Sequence, residues 1–447
     1  MIKKAVGFVK KYANDKDLLT LWMNNLLVLY AFLLPISQTI KATIFTYIVL
    51  LFIIRGDVIN NIKQSLQNPV VRSFLYLFLI YAVGLLWADD ASSAMGALKS
   101  VKYGLYLIVF YSIVDGRYID KVIGAFILGM LISELTSYGM IFGVMPWRLE
   151  IGDILFYSTQ SVGDPSPFLN HIHYGVALAF VVVLLAQKIF YSSSTMIVKV
   201  LMSIFVVTAT VNIFITGGRT GYISFILLIL VLSIFYLRKW AIAALLFASV
   251  VLVSAYNMSP IFHAKVAQTQ DSIYQLFEKD PNFNTSIGVR VGMFYYAADS
   301  IKEHPLLGVG TGSAMIEILK NTPQKWTGIH DQPHAHNQFL SILVSLGVVG
   351  LLVFLNIYYQ IFRYKQDIKD LRFIMIFSTL AIAFGILTTQ FNLRFFLPLW
   401  VVMLAVTLIN RDRRTIKFMP LNNKKQMFQI IGIGILFSIS SLVHQLL

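Results

Sequence analysis

"HAHNQFLSILVSLGVVG", residues 334–350, sets two imidazoles and an amide at the mouth of a long apolar run. From Gln338 to Phe362 the chain carries no Asp, Glu, Lys or Arg. At about 1.5 Å per residue that stretch outruns a hydrocarbon core roughly 30 Å thick. The same character extends outward through the whole chain: 57% of its 447 residues are hydrophobic and 13% are charged. Soluble domains carry about 25% charged residues, so this composition cannot build a water-facing surface. The expectation is an all-α polytopic membrane protein. Barrel strands would alternate over about ten residues, and these runs are longer and apolar all round.

Spans are expected near 19–35, 36–54, 73–88, 99–115, 122–143, 173–190, 198–215, 220–237, 240–256, 337–358, 373–389 and 395–410, about twelve in all. A further apolar stretch at 428–446 either crosses or lies in the membrane. With the N-terminus cytoplasmic, twenty-four of the 36 Lys and Arg residues fall in inner segments, which fixes the orientation by the positive-inside bias. The net charge of +15 is then explained by basic cytoplasmic loops, not nucleic acid. The N-terminus is basic and amphipathic without a small-residue cleavage site, so the first apolar stretch reads as a retained span. Cysteine is absent, which removes disulfide and thiolate chemistry.

Three parts follow: an N-terminal bundle over 1–256, an outer helical loop over 257–336, and C-terminal membrane helices over 337–447. A loop of that length is uncommon unless it works. Within it, "VRVGMFYYAADSIKEH" puts Val291, Phe294, Tyr295 and Ala298 on one helical face, as in a cap lying on the membrane. Seven of the eight histidines map to the outer side: His171, His173, His263, His304, His330, His334 and His336. Polar chemistry is concentrated there.

In "FITGGRTGYISF", 214–225, Arg219 follows two glycines and opens a helix. A guanidinium beside a helix N-terminus makes an anion site. Its structural alternative is an interfacial Arg snorkelling to headgroups. Arg290 begins a cap helix; alone it reads as a surface charge, and with Arg219 it could clamp a diphosphate. "HPLLGVGTG", 304–312, reads as a close-packed loop, since no strand precedes its glycines as a nucleotide turn would require. His330, Asp331, His334 and His336 have irregular spacing that matches no established zinc pattern, and no metal is expected. A neutral His336 is a competent general base. Asn337 could orient a substrate, and Gly347 and Gly350 would allow tight helix packing.

These motifs resemble those of the O-antigen ligases and polymerases, a superfamily of bacterial envelope glycosyltransferases. The ligase-like pattern of His-Asn, nine residues, Gly, two residues, Gly is met by His336, Asn337, Gly347 and Gly350. Leu351-Leu352 stand where the family usually has Thr-Thr, and Gly218 stands for Ser in its Thr-Gly-Ser-Arg turn. Arg290 followed by "HPLLGVGTG" completes the set; by motif the resemblance covers roughly 205–355.

The resemblance implies a GT-C-like bundle with a helical periplasmic cap and a metal-independent, cofactor-free site. It implies transfer of a glycan from undecaprenyl diphosphate to the lipid A-core oligosaccharide at the periplasmic face of the inner membrane. His336 would be the base, and Arg219 and Arg290 would hold the departing diphosphate. Attack opposite the leaving group predicts inversion. Diphosphate leaves readily, which fits the lack of a glycosidase-type carboxylate pair on the outer side.

Secondary candidates are His334, Lys99 and Lys102 near the outer end of the fourth span, Lys41 within the second, and Arg394 at an outer turn. Arg148, His171 and His173 are candidates for touching the acceptor. A polymerase shares the fold and arginines, and the His-Asn spacing favours the ligase. A lipid-linked sugar transporter would show internal repeats and interrupted mid-membrane helices, and no repeat is seen.

Overall fold

A computed structural model describes residues 15–37, 40–151, 154–159, 164–237, 241–391 and 395–413. It is mostly helical. Arg394 and the apolar stretch 428–446 lie outside the described residues.

The first half runs through α1 (Lys16–Leu33), α2 (Ile40–Arg55), α3 (Val58–Ser65), α4 (Pro69–Val83), α5 (Ala91–Val101), α6 (Tyr106–Ile113) and α7 (Ile119–Ile141). Starts are written locally. The Asn68 side chain accepts from Val70 N with Pro69 at the first helical position, and Asp90 accepts from Ser92 and Ser93 at the head of α5. A two-stranded hairpin follows, β1 (Arg148–Ile151) antiparallel to β2 (Ile154–Ser158), with a bulge between Leu149 and Glu150. The expectation was all-α, and this hairpin departs from it. Its alternation Arg148-Leu149-Glu150 carries the period of two that a strand needs.

Next come α8 (His171–Tyr191), α9 (Met196–Ile215), α10 (Arg219–Leu232) and α11 (Ala241–Met258). Helix α8 is buried on all sides from His173 to Leu185, packed by α9, α10 and α17 (Lys369–Ile386). A helix apolar all round belongs in the core of a bundle. Where α8 crosses α10, a Cβ on Gly175 or Gly221 would stand 2.8 Å from the other's Cα, so only glycine permits this approach. α18 (Phe396–Thr407) is buried along its whole length.

The segment 257–336 folds as α12 (Pro260–Leu276), α13 (Ser286–Glu303), α14 (Ala314–Asn321) and the short α15 (Thr327–His330). It closes around its own apolar cluster, including Phe283, Met293, Ile318, Trp326 and Ile329, which continues into Leu340 and Val344 of α16 (Gln338–Arg363). The buried face of α13 is Gly288, Val289, Gly292, Met293 and Ala297. Val291, Phe294 and Tyr295 stay exposed.

Helix α16 differs from the expected close-packed span. Gly347 adopts φ 63° and ψ −165° and interrupts the helix. The loop 305–311 fills the interruption. Val309 N and Gly310 N donate to the carbonyls of Val344 and Ser345, while Val348 N and Val349 N donate to those of Pro305 and Leu306. Gly308, Gly310 and Gly312 all have positive φ, and a Cβ on any of them would sit 2.5 Å from backbone. The glycine run in "HPLLGVGTG" thus serves a backbone-to-backbone joint.

Six helices among the described residues are long and apolar enough to cross a membrane, and a seventh counts if α2 and α3, bent by 113°, are one span. About twelve were expected. The shortfall has local causes. The span placed at 99–115 is divided between α5, a tight turn at Lys102–Leu105, and α6. α17 carries Lys369, Asp370 and Arg372, and α18 has only 12 residues.

Candidate functional site

Two guanidiniums converge where α10 begins beneath the cap. Gly218 precedes Arg219 because a Cβ there would meet the His171 carbonyl oxygen at 2.7 Å. Arg219 Nη1 donates to Ser286 Oγ at 2.6 Å, and its Nη2 to Gln268 Oε1 at 3.1 Å. Arg290, one turn beyond Ser286 on α13, donates from Nη1 to the same hydroxyl at 3.2 Å and to the Ser286 carbonyl at 2.6 Å. Both Nε atoms are buried without a partner. Among the described residues no carboxylate pairs with either arginine. Burial, and then the charge of Arg219, depress the Arg290 guanidinium below its usual range. Two half-buried cations held side by side without a counter-ion are built for an anion.

The histidines lie against this pair. The rings of His334 and His336 are 4.3 Å apart, and His334 Nδ1 accepts from His336 N at 3.2 Å. His336 has φ 47°, a conformation rare outside glycine, at the residue before α16 is capped. Its Nε2 lies 2.6 Å from Gln332 Oε1. The Gln332 amide nitrogen donates to the Gly328 carbonyl at 2.9 Å, which turns Oε1 toward the imidazole. Both ring nitrogens thus face oxygen acceptors, Nε2 the Gln332 amide and Nδ1 the Thr388 carbonyl at 3.4 Å, and the neutral ring can donate to only one of them. Burial first, then His334 and Arg290, push His336 down to about 4; burial first also lowers His334, with Arg290 adding to it. The sequence placed the imidazole near its ordinary range. In the fold it is neutral at pH 7 and a weaker base.

The other sequence candidates separate into groups. Asn337 is committed to protein partners: Oδ1 accepts from Leu340 N at 2.9 Å, capping α16, and Nδ2 donates to the Leu387 carbonyl at 3.1 Å. It positions His336 by tying α16 to the end of α17, where Thr388 also meets Thr220 at 2.6 Å. Lys41 is buried on α2, close enough to His173 for their charges to interact. His173 is itself buried edge-on against Phe396. His171 pairs with Asp164 at 2.9 Å. Lys99 and Lys102 are exposed at the end of α5, and Arg148 pairs with Glu150 on the hairpin. Among the described residues no group of three or more His, Asp or Glu is placed to hold a metal.

Sequence reasoning missed Ser286, Gln268, Gln332 and Thr388. One carried a local signal: Ser286 lies four residues before Arg290 on α13, the spacing at which helical side chains meet, whereas Gln332 reaches His336 across a non-helical loop. Gln268 and Thr388 arrive only through tertiary packing.

A multi-helix membrane protein whose helical cap closes over a cationic cleft flanked by imidazoles is the class that fold and site define. Residues 204–355, about a third of the chain, match the family model described as O-antigen ligase. The matched segment contains Arg219, Arg290 and His336. The chain is similar to proteins named as polysaccharide ligases. It is 25% identical over 281 residues to one from Rickettsia conorii, covering 54% of this chain and 65% of that one. With one from Rickettsia felis it shares 29% over 164 residues, 35% of this chain and 36% of the relative. With one from Rickettsia prowazekii it shares 29% over 157 residues, 34% and 35%. The chain thus spans less than two thirds of the relatives it matches.

Proposed function

We propose that the protein is an O-antigen ligase, transferring a glycan from undecaprenyl diphosphate to the lipid A-core oligosaccharide. The observation that carries this reading is the convergence of Arg219 and Arg290 on Ser286, without a counter-ion, beside His334 and His336. An acceptor hydroxyl attacks the anomeric carbon, and the bond to the diphosphate oxygen breaks with its electron pair leaving on the diphosphate. The hydroxyl proton goes to the unprotonated ring nitrogen of His336. Charge grows on the departing oxygens, where two forks of N–H donors, including the unpartnered Nε groups, await it. Attack from the side opposite the diphosphate inverts the anomeric centre. The arginines do the electrostatic work that a divalent cation does elsewhere, so the reaction runs without metal or cofactor.

Donor binding also strengthens the base. The diphosphate neutralises Arg290, one of the charges that hold His336 low. The imidazole thereby becomes more basic when a substrate is present to be deprotonated.

The placement follows the charge distribution. The N-terminus is cytoplasmic, the cap of α12–α15 is periplasmic, and the exposed Val291, Phe294 and Tyr295 rest on inner-membrane lipid. The bent and shorter helices, α1, α2 with α3, α11, α17 and α18, cross together with the six long ones in a GT-C-like bundle of about twelve spans. The interruption of α16 carries no transporter-type ion site, because the loop 305–311 takes up the freed backbone groups.

The test is transfer by purified protein in liposomes from a lipid-linked donor to a lipid A-core acceptor. His336→Ala is expected to abolish transfer while Arg219→Ala and Arg290→Ala lower it severely; full activity of His336→Ala protein refutes the base assignment. In a deletion strain, lipopolysaccharide with no O-antigen on any core is expected, whereas a single attached repeat identifies a polymerase instead.

A further inference from the structure

A cavity of about 500 Å³ adjoins the cleft and is lined by neither arginine. Its volume falls in the range of small-molecule pockets. Two helix faces oppose each other across it. Ser93, Gly96, Ala97 and Ser100 recur at three- and four-residue spacing on α5, and Gln338, Ser341 and Ser345 do the same on α16. The Tyr81 hydroxyl also lines it, buried, accepting from Gln338 Nε2 at 3.1 Å and keeping its own proton for a ligand. The lining mixes hydroxyls, amides and the His334 imidazole with apolar side chains such as Met315, Ile316, Leu319 and Phe391, and holds no Asp, Glu, Lys or Arg. The bridge from this cavity to the reacting groups is short: His334 and Gln332 line it, and Gln332 contacts His336.

We infer that this cavity is the acceptor subsite and takes an uncharged sugar ring, recognised through its hydroxyls and not through phosphate. Only the word acceptor rests on the transfer reading above. The chemistry of the wall selects the ligand: a sugar offers many neutral donors and acceptors, while a buried phosphate without a cation would be desolvated and unpaired. The position selects the role. The arginines hold the diphosphate end of the donor, and the cavity approaches His336 through His334 and Gln332, so a ring seated there brings its hydroxyl toward the imidazole from a wall that the arginines do not share.

Gly96→Leu tests this without disturbing the fold. No atom lies within 4 Å of a Cβ at Gly96, so the added side chain fills open space, and Leu is a better helix former than Gly. In the full-length protein in liposomes, Gly96→Leu is expected to raise the acceptor KM at least tenfold with the donor KM unchanged. Tyr81→Phe, which removes one hydrogen bond, is expected to raise it by up to about tenfold. An unchanged acceptor KM in Gly96→Leu, or a rise in the donor KM instead, overturns the assignment.

If the wild-type protein transfers nothing, the functional reading fails, and the subsite is judged by saturation-transfer NMR with methyl α-glucoside and glucose 6-phosphate. Wild-type contact with the neutral glycoside that is lost in Gly96→Leu supports a neutral sugar site. No contact, equal contact in the variant, or preference for the phosphate overturns it.

Discussion

Replacing Arg290 with Gln separates binding from stability in a way that few substitutions do. Arg219 and Arg290 reach one hydroxyl, with contacts of 2.6 and 3.2 Å. Their Nη1 atoms are thus no more than about 6 Å apart, a repulsion of about 3 kcal/mol at an effective dielectric of about 20 and under 1 kcal/mol in bulk water. Both side chains are half-buried, so an intermediate relief of about 1 kcal/mol is the working expectation. In Arg290→Gln that repulsion disappears, and the empty protein should melt about 2 °C higher. The same change removes charge-assisted bonds to the donor worth about 1.5–3 kcal/mol, so kcat/KM should fall by roughly 10- to 150-fold. The assay is thermal unfolding of purified protein in detergent, with and without inorganic diphosphate, beside transfer kinetics. Wild-type protein should be stabilised by diphosphate and the variant should lose most of that shift. A variant that melts lower and still gains the full shift from diphosphate refutes the anion-cleft argument.

Four more expectations come from the same structure. With His336 held down to about 4, kcat/KM should stay level from neutrality to near pH 5 and fall below it; an acid limb near 6.5 would mean that burial leaves the imidazole unperturbed. The unfolded imidazole takes a proton near pH 6.5 that the folded one refuses until about 4, so stability should fall as pH drops through that window and level off beneath it, measurable by melting in a pH series. Gly347→Ala puts a Cβ 2.3 Å from the Leu306 backbone at φ 63°, and should cost about 2–4 kcal/mol, read as a lower melting temperature or loss of folded protein; near-wild-type stability would contradict the observed break. Treatment with a chelator should leave transfer intact, and a loss restored by one divalent ion would revive the histidine cluster as a metal site.

Helical class was legible because hydropathy is written along the chain, whereas the count of membrane-crossing helices was not. The turn at Lys102–Leu105 interrupts the run expected at 99–115 without a change in its composition. The hairpin at 148–158 was missed because so short an alternation is hidden inside a polar segment. At the site, the motif spacing led to Arg219, Arg290, His334 and His336, which the fold gathers into one cleft. The sequence could not say that Ser286 joins the arginines, that Gln332 meets the His336 imidazole, or that Asn337 spends both ends of its amide on protein. Those depend on rotamers and on which helices meet. Gly347 was read by residue type as a packing glycine; its left-handed backbone depends on a loop some forty residues earlier.

That loop has a mechanical consequence. Four hydrogen bonds stitch residues 305–310 into the gap of α16. Prising the cap away would strip those backbone groups of their partners, and each buried group left bare costs about 1–3 kcal/mol. The cap over the arginines is in effect riveted to α16 at the break in its backbone, so the two can move only together.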